Sequence, residues 1–153
     1  MKIKIFIIIL FSVVGISYGQ NSNWYSDARQ AVTQSNKVKK PLLVFFTGSD
    51  WCGWCKKLQK EVFNTTEFKK WATNNVVLLE LDFPRDNKQH QNIIEQNQQL
   101  QQVFKVEGYP TVWFVTATVK DGKTSFSGLG RSGYVAGGTK QWLLTANEIL
   151  KNK

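Results

Sequence analysis

Cys52 and Cys55 are the two thiols of this 153-residue chain, and they stand as Cys-Gly-Trp-Cys between Trp51 and Lys56-Lys57. A C-x-x-C pair placed where a buried strand hands over to a helix is the arrangement of a thiol-disulfide redox centre. Three-residue spacing puts both sulfurs on one face of the first helical turn, within disulfide reach at a Cα separation of about 5.5 Å. Position then divides the labour. Cys52, at the helix N-terminus, has unpaired backbone N–H groups and the helix dipole to favour its thiolate, so it is the expected nucleophile. Cys55 lies deeper and is the expected resolving thiol, attacking Cys52 in a mixed disulfide to release reduced substrate. Metal binding is the other use of such a pair. Zinc needs four ligands, usually Cys and His, and His90, the sole histidine, sits in a polar Gln-rich segment that reads as surface. Copper(I) can use two thiolates, but a dedicated carrier often adds Met or His, and the one methionine is Met1. No metal and no cofactor beyond the Cys52-Cys55 pair is expected.

The elements that must hold this pair follow from hydrophobic periodicity. Trp24, Ala28, Ala31 and Val32 fall at helical spacing and predict an amphipathic helix from Trp24 to about Lys37, stopped by Pro41. Leu42 to Phe46 is a continuous apolar run suited to a central strand buried on both faces. The helix carrying the cysteines then begins near Cys52, with Ser49 or Asp50 as its expected cap, and runs to about Val62. Asn64 with Glu67 three residues on resembles a capping box ahead of Phe68, Trp71 and Ala72. Val76 to Phe83 is a second strand. Gln89 to Phe104 is rich in Gln and Asn yet keeps Ile93, Leu100, Val103 and Phe104, so a helix is favoured over a disordered tract. Gly108-Tyr109-Pro110 is a turn before a third strand, Thr111 to Thr118, and Asp121-Gly122 is a hairpin turn into a fourth, about Thr124 to Gly128. A glycine-rich loop through Gly130, Gly133, Gly137 and Gly138 leads to a last helix, Thr139 to Lys151. A helical crossover makes the first two strands parallel and the hairpin makes the last two antiparallel, which predicts an α/β domain with a mixed central sheet covered by helices. Ligands of such sheets sit outside the carboxyl ends of the strands, where Cys52 falls.

Length and composition bound the rest. One domain is expected over residues 20–153, with six Trp and ten Phe for its core. Residues 1–19 read as a cleaved signal peptide: Lys2 and Lys4, then an apolar run from Ile5 to Ile16, then Ser17-Tyr18-Gly19 with cleavage before Gln20. That run falls short of the ~20 residues of a membrane-spanning helix, so no stable membrane insertion is expected. The implied location is periplasmic or secreted, a compartment where disulfides form. A structural staple closing so short a loop would contribute little, which favours a pair that cycles. Losing Lys2 and Lys4 lowers the formal charge from +9 to +7, but the lysines are scattered or paired, with no recognisable nucleic-acid module. No nucleic-acid partner is expected.

With these residues in place the chain resembles the thioredoxin superfamily. Trp51-Cys52-Gly53-Trp54-Cys55-Lys56 is similar to its W-C-x-x-C-K signature, and Gly108-Tyr109-Pro110-Thr111, about 55 residues further on, to its G-x-P-T, whose proline is cis. The match spans about Pro41 to Lys151. The run from Lys40 to Cys52 looks most like exported bacterial members of the branch that also contains the periplasmic domain of the membrane electron transporter DsbD. The resemblance implies a thioredoxin fold with an N-terminal helical extension. It also implies an exported thiol-disulfide oxidoreductase that reduces or isomerises disulfides of cysteine-containing polypeptides, resupplied by a membrane thiol-disulfide electron donor. A disulfide-forming oxidant and a non-catalytic module for Cu(I) or apocytochrome peptides are the alternatives. Trp51, Trp54, Tyr109 and Pro110 are the implied substrate-binding residues. Two departures stand out: Trp54 replaces the usual proline between the cysteines, and Phe45 or Phe46 replaces the buried Asp that accepts a proton from the second cysteine. Glu80, on the adjacent strand, is the candidate substitute; its plainer reading is an exposed strand carboxylate.

Overall fold

The computed structural model describes residues 24–86 and 88–153. The expected signal peptide, residues 1–19, and its cleavage before Gln20 lie outside the described residues. Among the described residues four strands form one sheet in the order β2-β1-β3-β4: β1 (Leu42–Thr47), β2 (Val77–Asp82), β3 (Thr111–Lys120) and β4 (Lys123–Ser132). β1 runs parallel to β2 and antiparallel to β3, and β3 pairs antiparallel with β4. Five helices among the described residues cover it: α1 (Ala28–Val38), α2 (Gly53–Leu58), α3 (Thr66–Asn75), α4 (Gln91–Val103) and α5 (Gly138–Leu150). α2 continues into a wider π-helical turn, Gln59–Phe63.

Alternation along the strands sorts the core into two layers. Leu43, Phe45, Leu78, Val112 and Phe114 face one side with Cys55, Leu58, Phe63, Phe68 and Trp142 of α2, its π turn, α3 and α5. Leu42, Val44, Phe46, Leu79 and Val115 face the other, against Ala31 and Val32 of α1 and Leu100 of α4. Every residue of β1 is therefore buried, as an apolar run between two helical layers requires. Asp121 and Gly122 both take positive φ, 52° and 73°, which closes the β3–β4 hairpin in two residues.

Several local expectations are corrected. Trp24 is not helical: Tyr25 bridges in parallel to Leu79, and its backbone bonds to Leu78 and Glu80 run along the outer edge of β2. The ring of Trp24 then packs on Phe45, Phe63 and Phe68. Burial of an indole on the sheet outweighs helical periodicity here, and α1 starts later, where the Asp27 carboxylate accepts from Arg29 N and Gln30 N. Thr65, not Asn64, caps α3, its hydroxyl accepting from Phe68 N. β4 does not stop at Gly128 as expected but runs on to Ser132, so Gly130 is strand and not loop; the missing side chains of Gly128 and Gly130 let Trp113 and Ile149 pack close to the strand.

Candidate active site

The backbone leaves the buried end of β1 at Thr47, turns through Gly48 to Trp51, and enters α2 with Cys52 as its cap. Cys52 Sγ accepts from Cys55 N at 3.2 Å, and Cys52 N donates back to Gly48 O at 2.8 Å. Neither Ser49 nor Asp50 caps the helix. Both tie the loop sideways instead: Ser49 N and Oγ donate to the Asp82 carboxylate at 2.8 and 2.6 Å, and the Asp50 carboxylate accepts from Arg85 N and Asp86 N. Short polar side chains take whichever local partners the fold presents: for Ser49 the carboxylate at the end of β2, for Asp50 the backbone N–H groups of the loop that follows.

Cys52 and Cys55 form a disulfide with Cα atoms 5.3 Å apart. Cys52 keeps 5% of its surface accessible and Cys55 none, so an incoming thiol or disulfide reaches Cys52 first. Two aromatic walls flank it. On one side Trp51 folds back over Gly48, donates through Nε1 to Phe83 O at 2.8 Å and meets Tyr109 edge-on at 5.6 Å between ring centroids. A Cβ on Gly48 would lie 2.3 Å from the indole, so this approach needs glycine. Tyr109 Oη accepts from Gln101 Nε2, and burial holds the phenol above its ordinary pKa, the bond from Gln101 partly offsetting it. The Tyr109–Pro110 peptide is cis. On the other side Trp54, 57% exposed, packs on Tyr134 at 5.2 Å between centroids. Tyr134 Oη donates to Glu61 Oε2 at 2.7 Å, and the Trp142 indole donates to Gly133 O at 3.0 Å, holding the Gly133-Tyr134 loop beside Pro110.

Glu80 lies on β2 opposite Phe45 in the parallel ladder, on the face that carries Leu78 and hence the α2 layer. It is half-buried rather than an exposed strand carboxylate, and accepts from Gln59 Nε2 at 3.2 Å, one helical turn beyond Cys55. Burial raises its pKa, the Asp82 charge raises it further, and the Gln59 bond lowers it in part. The Thr47 hydroxyl is fully buried and has no hydrogen-bond partner among the described residues. Lys56 Nζ donates to Asp50 O, and His90 is exposed at the start of α4.

The structure thus brings Cys52, Cys55, Trp51, Trp54, Tyr109 and Pro110 to one end of the sheet, with Glu80 on the layer beneath. Tyr134 and Arg85 are also at this site and were not singled out from the sequence. An aromatic inside the Gly130–Gly138 stretch was the available signal for Tyr134; Arg85, in a turn of Pro, Asp and Asn, offered none.

The thioredoxin-like domain family model matches residues 28–135. The disulfide bond reductase DsbH of Chlamydia pneumoniae is 37% identical over 131 residues, 86% of this chain and 74% of that protein. The thioredoxin-related protein DsbJ of the same organism is 38% identical over 87 residues, 57% of this chain and 25% of that longer protein. Among solved structures, a DsbH oxidoreductase superposes with a TM-score of 0.74 at 34% identity, over 86% of this chain and 85% of the other. A thioredoxin from Thermus thermophilus superposes at 0.58 with 16% identity, over 83% and 85%, a likeness of fold.

Proposed function

The chain belongs to the thioredoxin-like family and is a thiol-disulfide oxidoreductase; from that premise we propose that it acts outside the cytoplasm, reducing or isomerising disulfides of cysteine-containing polypeptides. The observation that carries this reading is the asymmetry of the pair: Cys52 opens to the aromatic cleft while Cys55 is sealed behind it. In the reduced protein the Cys52 thiolate attacks a substrate disulfide, forming a mixed disulfide and expelling one substrate thiol. Cys55 then attacks Cys52 Sγ, the second substrate thiol leaves, and the two electrons of the protein dithiol have passed to the substrate. Glu80 is the proposed acceptor of the Cys55 proton, because its raised pKa lets a carboxylate hold one. Trp51, Trp54, Tyr109 and Pro110 hold the extended polypeptide. The sequence pattern of residues 1–19, Lys2 and Lys4 followed by an apolar run, supports export, and a membrane thiol-disulfide carrier would re-reduce the Cys52-Cys55 disulfide. No cofactor is needed beyond that pair.

The reducing direction is supported by the DsbH relative, whose name is disulfide bond reductase, and by Gly53-Trp54, which put no histidine charge between the cysteines to stabilise the thiolate. Equilibrating the protein with graded dithiol buffers tests it. A reduction potential near the roughly −270 mV of thioredoxin is expected; one near the roughly −120 mV of DsbA would make the protein an oxidant. Cys55→Ser should accumulate mixed disulfides on Cys52, and an active Cys52→Ser variant would reverse the assignment.

A further inference from the structure

Each aromatic wall of the cleft carries a cation. Arg85 lays its guanidinium on Trp51, Cζ 4.4 Å from the ring centroid, and Lys57 Nζ sits 5.1 Å from the Trp54 ring and 5.0 Å from Tyr134. Both rings are partly exposed, Trp51 by 37% and Trp54 by 57%, so the cations stand at the rim and not under it. An aromatic face holds a cation in place without neutralising it. The nearby carboxylates keep their charge but are bound first to other donors. Asp50 accepts from the backbone N–H groups of Arg85 and Asp86, and Glu61 takes the Tyr134 hydroxyl while reaching Lys57 only at 3.9 Å. Among the described residues the ion pairs are Lys57–Glu61 and Lys151–Glu148, and Arg85 is in neither.

We propose that this cleft selects disulfides flanked by acidic residues, the segment on one side of the cysteine meeting Arg85 and that on the other meeting Lys57. The proposal rests on the oxidoreductase reading and adds its substrate class. Opposite charge at a rim raises the encounter rate and disfavours basic partners, and salt screens both effects. Lys120 and Lys123, which flank the β3–β4 turn, lie at the far end of the sheet, since β3 enters beside Phe46 at Thr111 and runs away from Cys52. They supply a control of equal charge.

The test is single-turnover reduction of matched disulfide peptides by the pre-reduced protein, with Glu, Gln or Lys on both sides of each cysteine. One protein dithiol becomes a disulfide for each peptide disulfide that becomes two thiols. Each rate is divided by that of neutral dithiothreitol on the same peptide, which removes the effect of the flanks on the peptide sulfurs themselves. The Glu peptide should exceed the Lys peptide about tenfold at low salt and no more than about twofold at about 1 M salt. The double variant Lys57→Gln/Arg85→Gln should lose this preference and Lys120→Gln/Lys123→Gln should keep it. A wild-type ratio below about twofold at low salt, or equal loss in both double variants, overturns the proposal while leaving the oxidoreductase reading intact. If no peptide oxidises the protein, or Cys52→Ser reacts like the wild type, the oxidoreductase reading falls and the substrate preference with it.

Discussion

Glu80 stands directly across the β1–β2 ladder from Phe45, a half-buried carboxyl beside a fully buried ring. The thioredoxins this chain resembles carry a buried Asp on the strand of Phe45; here Phe45 is apolar and a carboxyl stands one strand over, on the α2 face. Its surroundings suit proton storage. Desolvation and Asp82 both favour the neutral acid.

That placement sets a pH dependence with a definite sign. Because the folded pKa of Glu80 is raised above 4.5, the folded protein binds more protons than the unfolded chain between 4.5 and the raised value. Stability from this group is therefore fully present below 4.5 and is lost as pH rises through the folded pKa. Glu80→Gln should flatten this part of the profile, and Asp82→Asn should narrow it by removing the second cause of the shift. Urea unfolding of the oxidised protein across pH 4–8, in steps of about one unit, measures the slope; an unchanged slope in Glu80→Gln would show that Glu80 does not titrate as described.

Gly48→Ala should displace Trp51, since the new methyl would overlap the indole at 2.3 Å. Overpacking of this kind costs about 1–3 kcal/mol. Loss of the Trp51 Nε1 bond to Phe83 O should also open the wall beside Cys52 and slow reduction of peptide disulfides. Unfolding curves and single-turnover rates on the same preparation separate the two effects; wild-type values for both would mean that the loop yields without cost.

Thr47→Val removes a buried hydroxyl that has no partner among the described residues and keeps the shape of the side chain. An unsatisfied buried polar group costs about 1–3 kcal/mol, so the variant should be as stable as the wild type or more stable by about 1 kcal/mol. A loss of more than about 1 kcal/mol in denaturant unfolding would show that the hydroxyl is bonded in solution.

Trp24→Ala deletes the ring that packs on Phe45, Phe63 and Phe68 ahead of α1. Large-to-small changes of buried Trp cost about 3–5 kcal/mol, and partial exposure of Trp24 places the expected loss near the lower end. The midpoint of chemical denaturation reads it. A shift worth less than about 1 kcal/mol would make the N-terminal segment a passive cover.

Local signals were enough for the redox pair, the strands and the helix over Gln91–Val103, because each depends on residues adjacent in the chain: Cys-x-x-C spacing, an apolar run at Leu42–Phe46, a retained apolar face within a Gln-rich segment. The misplaced details share one cause. Trp24 looked helical by spacing until β2 offered Tyr25 an edge and the core took the indole. Ser49 and Asp50 looked like caps until the end of β2 offered Asp82 and the loop after it two backbone N–H groups. Gly130 looked like loop until Ile149 packed against it.

By itself the amino-acid sequence determined the chemistry of this protein, since a dithiol three positions apart at a strand-to-helix junction can cycle in any fold that keeps that junction. Tertiary structure alone decided what surrounds the dithiol. Tyr134 and Arg85 reach the cleft from segments about 80 and 30 residues beyond Cys52, and Glu80 reaches the layer beneath it only because β2 pairs with β1 in the register that sets it opposite Phe45. Such neighbours are set by the packing of whole layers, which no spacing along the chain encodes.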